Sequence, residues 1–110
     1  MHTVGIKYRL YEWHTWVARS LYRACVQARQ LAYDSLYNMS ALRVTLPWIL
    51  DDVEADRAFF GEDCWPYGIT RNQVVLDALT QYAHEQGLTS RKLAVDSLFA
   101  PNTLDDGTKV

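Results

Sequence analysis

Residues 12–37 read EWHTWVARSLYRACVQARQLAYDSLY, with no Gly or Pro anywhere in the run. Val17, Leu21, Ala24/Cys25, Ala28, Leu31/Ala32 and Leu36 recur at helical spacing. Arg19, Arg23, Gln27, Gln30 and Asp34 take the opposite side, and Tyr22, Tyr33 and Tyr37 sit on the flanks. A long amphipathic helix from Glu12 to Tyr37 is the reading that decides the fold class: mainly α.

Upstream, His2-Thr3-Val4-Gly5-Ile6-Lys7-Tyr8 is β-branched and aromatic and predicts one short strand. A lone strand leaves its backbone groups unpaired, so this strand implies neighbours that the chain does not supply. Downstream, Asn38–Val44 reads as a connection. Thr45-Leu46-Pro47 opens a second helix, since a first-turn Pro loses no hydrogen bond. Asp51, Asp52 and Glu54 suit the positive end of its dipole. Leu46, Leu50, Val53 and Phe60 share a face, and Gly61 is a C-terminal stop. After the loop Glu62–Gly68, Thr70-x-x-Gln73 predicts a capping box, with Ile69 and Val74 as its hydrophobic staple. The third helix then runs to Gln86 and stops at Gly87, with Leu88 folding back. Ser90–Phe99 is weakly helical and ends at Pro101, and residues 102–110 read as a frayed tail. The expected architecture is one strand and three to four helices, with residues 1–110 as a single region.

Composition narrows the function classes. The chain has 110 residues, enough for one domain, and is 49% hydrophobic and 22% charged, which excludes a disordered chain. Its 11 basic and 13 acidic residues give a net charge of −2, without the basic excess of a nucleic-acid binder. Met1–Arg43 nonetheless carries six basic and two acidic residues, against five and eleven in Val44–Val110. Two readings of that asymmetry stay open: oppositely charged helices packing together, or a cationic cleft for an anionic ligand. Aromatics reach 13%, a ring surface that needs a deep core, a ligand cleft or a partner, with a homo-oligomer among the expected partners. No apolar run is long enough to cross a membrane, and Lys7 and Arg9 interrupt the N-terminus where a signal peptide would be apolar. Cys25 and Cys64 form no motif, so reduced thiols and a cytoplasmic location are expected.

Candidate chemistry is sparse. His2, His14 and His84 have no zinc-site spacing, no phosphate loop or nucleophile elbow occurs, and neither metal nor cofactor is expected. His84 suits a helix C-terminus, and His14 is expected solvated or packed beside Trp13 and Trp16. The loop Trp65-Pro66-Tyr67-Gly68 reads in two ways: a packed lid whose rings seal the core, or the border of a pocket for an aromatic ligand.

Trp65-Pro66-Tyr67-Gly68-Ile69, preceded by Gly61-Glu62-Asp63 and followed by Tyr82-Ala83-His84-Glu85-Gln86-Gly87-Leu88, resembles the C-terminal end of the 4,5-dihydroxyphthalate decarboxylase family. So do Ala41–Trp48, Leu98-Phe99-Ala100-Pro101 and the opening Met1-His2-Thr3-Val4. The resemblance covers nearly the whole chain, in matching order, but only the last third of a family member. It implies part of a two-lobed α/β fold like that of type II periplasmic binding proteins, and either a truncated reading frame or a fragment. It further implies non-oxidative decarboxylation of an aromatic dicarboxylate by the parent, with this chain inactive alone. The alternatives are a non-catalytic solute-binding protein of that fold, which hosts both activities, and a small helical interaction module. His2, on the implied inter-lobe strand, is the position expected to face the cleft, with a structural His as its ordinary alternative. With Trp65 and Tyr67 it completes the substrate-binding set, the substrate being an aromatic carboxylate; catalytic residues are not assigned. The chain departs from the family pattern at Cys64, where an aromatic is usual, and at Ala94, where a Thr would cap the last short helix.

Overall fold

The computed structural model describes residues 2–38, 40 and 45–104. Four α-helices are present: α1 (Tyr8–Trp13), α2 (Trp16–Tyr37), α3 (Ile49–Phe60) and α4 (Gln73–Glu85). Short 3₁₀ turns cover Thr70–Asn72, Val95–Leu98 and Pro101–Thr103. The mainly α expectation holds. The chain divides into two compact units, one formed by Met1–Arg23 with Tyr67–Val110 and the other by Ala24–Pro66.

The expected N-terminal strand does not form. Residues 2–7 have no regular structure, and no strand occurs among the described residues to pair with them. Without a partner, the β-branched residues have no ladder to join. The long helix is also interrupted. α1 closes at His14, whose φ of −140° and ψ of 66° leave the helical region, and α2 restarts at Trp16. No Gly or Pro marks the break; side-chain contacts hold it. Asn102 Nδ2 donates to the Thr15 carbonyl at 2.8 Å, and the His14 and Trp16 rings meet edge to face at 6.3 Å. Tertiary contacts here override helix propensity.

On α2 the covered stripe is Ala18, Tyr22, Cys25, Arg29, Tyr33 and Leu36/Tyr37, at spacings of three and four. Leu21, Ala24, Ala28, Leu31 and Ala32 of the expected apolar face are exposed. Val17, Cys25 and Leu36 of that face are covered as expected, while Tyr22, Arg29 and Tyr33 fill the rest of the covered side, so these tyrosines are inward-facing rather than flanking.

α3 starts two residues later than expected. Pro47 lies in the preceding turn, where the Ile49 N–H reaches the Leu46 carbonyl at 3.3 Å. Asp51 and Asp52 occupy the first turn, as the dipole favours. Leu50, Val53 and Arg57 are half-buried, while Leu46 and Phe60 of the expected face are exposed. Gly61 does end the helix, at φ 83° and ψ −172°, a backbone conformation only glycine adopts readily.

The start of α4 corrects the capping expectation. Thr70 opens a 3₁₀ turn and makes no capping hydrogen bond, and Asn72, at the N-cap of α4, makes none either. Ile69 is buried but Val74 is 83% exposed, so the staple is absent. The Asn72 side chain instead donates to the Gly68 carbonyl at 2.8 Å. The C-terminus follows the expected pattern in its backbone. The Gly87 N–H bonds His84 at 3.0 Å and the Leu88 N–H bonds Ala83 at 2.9 Å, with Gly87 at φ 75°. This is a Schellman closure, although the Leu88 side chain stays exposed.

Ser90–Phe99 contains only the 3₁₀ turn Val95–Leu98, with Ala94 at its N-cap. Pro101 opens the next turn instead of ending a helix. Asn102 is anchored to Thr15, so the first part of the expected frayed tail is held; residues 105–110 lie outside the described residues. Most of the Asn38–Val44 connection lies outside them too.

The core is small. Ile69, Leu76 and Val95 form a buried cluster, with Phe99 and Leu104 packed against it, all in the first unit. Trp13, Trp16, Trp48, Trp65, Phe60 and Phe59 (82%) are exposed. Apolar ring surface on this scale drives association. The purified chain is therefore expected to self-associate, with a weight-average mass in sedimentation velocity that rises with concentration. A monodisperse monomer with one sharp melting transition would contradict this.

Candidate functional site

The loop after α3 is strapped to α2 by three side chains one turn apart, Arg29, Tyr33 and Tyr37, at i, i+4 and i+8. Arg29 Nη1 donates to both oxygens of Asp63, at 3.1 and 3.3 Å, and to the Trp65 carbonyl at 3.0 Å. The Tyr33 hydroxyl accepts the Trp65 N–H at 2.8 Å and donates to Asp63 Oδ1 at 3.2 Å. The Cys64 thiol donates to the same hydroxyl at 3.7 Å. Tyr37 donates to the Glu62 carbonyl at 3.3 Å, and Arg57 pairs with Glu62 while lying 4.5 Å from the Tyr37 ring centre. The Tyr33 and Tyr37 rings are stacked at 5.7 Å.

Trp65 is thus held by its backbone N–H and carbonyl while its indole remains exposed. It does not seal the core, which overturns the lid reading for this ring. A fixed backbone carrying an exposed aromatic plane is suited to stacking against a flat ligand. Cys64, the departure from the family pattern at a position where an aromatic is usual, is absorbed into the strap as a small donor.

The Tyr33 hydroxyl resists ionisation. Desolvation pushes its pKa up most, the neighbouring Cys64 and Asp63 push it further, and the Trp65 N–H pulls it back. Tyr37 is pushed up as well, chiefly by desolvation. A folded-state pKa above the unfolded value gives stability that is present below about pH 10 and lost as pH rises further. The strap should therefore weaken above about pH 10, and Tyr33→Phe should flatten that dependence. Urea midpoints of both proteins at about pH 9 and about pH 10.5 check this. Parallel alkaline losses in the two proteins would remove Tyr33 as the cause.

The other candidate residues lie elsewhere. Tyr67 is half-buried at the start of its stretch in the first unit, beside Gly68 at φ 97°. His2 is exposed and precedes α1 in that unit, off any strand, whereas Trp65 belongs to the second unit. His84 is exposed in the last turn of α4, with Nδ1 3.2 Å from the Thr89 carbonyl. Among the described residues no group of His, Cys, Asp and Glu side chains could hold a metal ion. No helix among them is long and apolar enough to cross a membrane. Sequence reasoning missed Arg29, Tyr33 and Asp63. The available signal was an arginine in line with two tyrosines at four-residue spacing.

No family model matches the chain. Comparison with known proteins does relate it to a decarboxylase. Over 105 residues it is 37% identical to 4,5-dihydroxyphthalate decarboxylase of Comamonas testosteroni, a span covering 96% of this chain and 32% of that protein. The chain thus spans about a third of the length of the curated relative it matches. The resemblance read from the strings around Trp65 and Tyr82 holds.

Proposed function

We propose that this chain is the C-terminal portion of a 4,5-dihydroxyphthalate decarboxylase-like protein and is inactive alone. The observation that carries the reading is the 37% identity across 96% of the chain. The parent reaction breaks a carbon–carbon bond without oxidation: carbon dioxide leaves, and a general acid protonates the ring carbon left behind. A hydroxyl para to the departing carboxylate feeds electron density into the ring, and cationic groups hold the carboxylate that stays. No cofactor enters this scheme.

In this reading Trp65, Tyr67 and His2 border a pocket for an aromatic carboxylate. The exposed, backbone-pinned indole of Trp65 supports its part. The parent fold is two-lobed and periplasmic-binding-protein-like, the protein is cytoplasmic, and a homo-oligomer covers the exposed rings. A decarboxylase must hold a dianion and deliver a proton in a site closed to water, and one flank of one lobe does not enclose such a site. Carbon dioxide release from 4,5-dihydroxyphthalate by the purified chain is therefore expected at background. Turnover above background, abolished by His2→Ala, would show a self-contained site.

A further inference from the structure

The inward side of α4 carries Leu76 and Thr80, both buried. Among the described residues the helix packs against the 3₁₀ turns Thr70–Asn72 and Val95–Leu98, all within the first unit. A second side of α4 is uncovered. Val75, Leu79 and Tyr82 fall at i, i+4 and i+7 and are 54%, 50% and 57% exposed. Ala78, at i+3, lies among them and is small enough to let another helix come close. Their spacing makes one apolar seam along the helix rather than scattered surface residues.

The two ends of this seam differ in charge. Arg71 stands exposed in the 3₁₀ turn that leads into α4, four residues before Val75. Glu85 stands exposed as the last residue of the helix, three past Tyr82. Such a face is self-complementary when turned end for end. Val75 then opposes Tyr82 of the other copy, Ala78 opposes Leu79, and Arg71 opposes Glu85, every pair centred at Ala78–Leu79. Antiparallel pairing also sets the positive end of one helix dipole beside the negative end of the other. A parallel pair would place Arg71 against Arg71 and Glu85 against Glu85, which like-charge repulsion opposes.

We propose that the Val75–Ala78–Leu79–Tyr82 face of α4 docks on the same face of a second copy of this chain, the two helices antiparallel about a two-fold axis at Ala78–Leu79. The apolar centre supplies the attraction, and the Arg71–Glu85 pairs at the two rims select the antiparallel register. The 13 residues of α4 span only about 20 Å, so the contact lies at the small end of specific interfaces. A dimer that dissociates at roughly micromolar concentration is therefore expected. The proposal rests on the self-association expected of the chain and adds where the first contact forms. It is independent of the decarboxylase reading, because no part of its test measures turnover.

Sedimentation velocity of the full chain over a concentration series, at low ionic strength, provides the test. Leu79→Glu buries a carboxylate at the axis and should raise the dimer dissociation constant at least about tenfold. Arg71→Glu and Glu85→Arg should each raise it about threefold or more, since each sets like charges together at both rims. The double variant Arg71→Glu/Glu85→Arg restores unlike pairs and should return the constant to within about twofold of the unsubstituted chain. That rescue is a result that loss of folding cannot produce. Phe59→Ser removes a more exposed ring on α3 and should leave the dimer step in place. Far-UV circular dichroism checks that each variant keeps its helix content. The proposal is overturned by any of three results. A chain monomeric at every concentration removes self-association altogether. Unchanged assembly of Leu79→Glu, or failure of the double swap to rescue, leaves self-association standing and removes α4 as its site.

Discussion

Asp63→Ala is expected to destabilise the Ala24–Pro66 unit by about 2–3 kcal/mol, with the loss concentrated in the loop that carries Trp65. The carboxylate receives two hydrogen bonds from Arg29 Nη1 and one from Tyr33. The two side chains of the ion pair are only 16% and 26% exposed. Exposed pairs contribute up to about 1 kcal/mol, whereas removing one partner of a buried pair costs about 3–5 kcal/mol because the other charge is left desolvated. Partial exposure places this pair between those limits. Deleting the carboxylate leaves the Tyr33 hydroxyl without this acceptor as well, and the Trp65 backbone loses the group that orients both of its anchors. Asp63→Asn keeps an acceptor and gives up the charge, so it should cost roughly half as much. Urea unfolding and amide exchange at Trp65 measure the two parts: a lower midpoint and a faster-exchanging Trp65 N–H. A midpoint shift under about 0.5 kcal/mol with unchanged exchange would reduce the strap to a solvated surface pair.

That strap marks where sequence reading stops. Helix content was legible because α2 and α4 are long and free of Gly and Pro, and because α4 is closed by Gly87 in a conformation few other residues adopt. Which face of α2 turns inward was not. The aliphatic pattern pointed to Leu21, Ala28 and Leu31, but burial follows Tyr22, Arg29 and Tyr33, and the last two are hydrogen-bonded by a loop some thirty residues away. A periodicity count has no access to a hydrogen bond between Arg29 and Asp63. The same limit explains the missing cap at Thr70. The Thr-x-x-Gln spacing is present, yet Asn72 spends its amide on Gly68, and the first turn tightens to 3₁₀ before α4 begins. The strand failed for the opposite reason: its composition was right, but a strand is a property of a pair, and the described residues contain no partner. At the candidate site the loop was legible from its aromatic and proline content, and the exposure of Trp65 removes the packed-lid reading for that ring. The grouping of His2 with Trp65 and Tyr67 came from resemblance alone, and His2 lies outside any strand.

Leu76→Ala should have the largest effect of any single truncation in the first unit, a loss of about 3 kcal/mol. Leu76 is 4% exposed and packs with Ile69 and Val95, joining α4 to the turn before it and to the 3₁₀ turn that follows. Leu-to-Ala changes in buried sites cost about 2–5 kcal/mol, through lost transfer energy and the cavity that remains. Two features pull in opposite directions within that range. The site borders half-buried Phe99 and Leu104, which can relax into the space and reduce the cavity term. The cluster has few other members, however, so no second layer of apolar contacts can take over the joining of α4 to Val95. Small domains have total stabilities of about 5–15 kcal/mol, so a loss of this size removes a large share of what holds the unit. Val74→Ala, two positions earlier on the exposed side of α4, should change stability by less than about 0.5 kcal/mol. Urea unfolding followed by circular dichroism compares the two variants directly. Equal midpoints for Leu76→Ala and Val74→Ala would mean that the Ile69–Leu76–Val95 cluster does not hold the unit together.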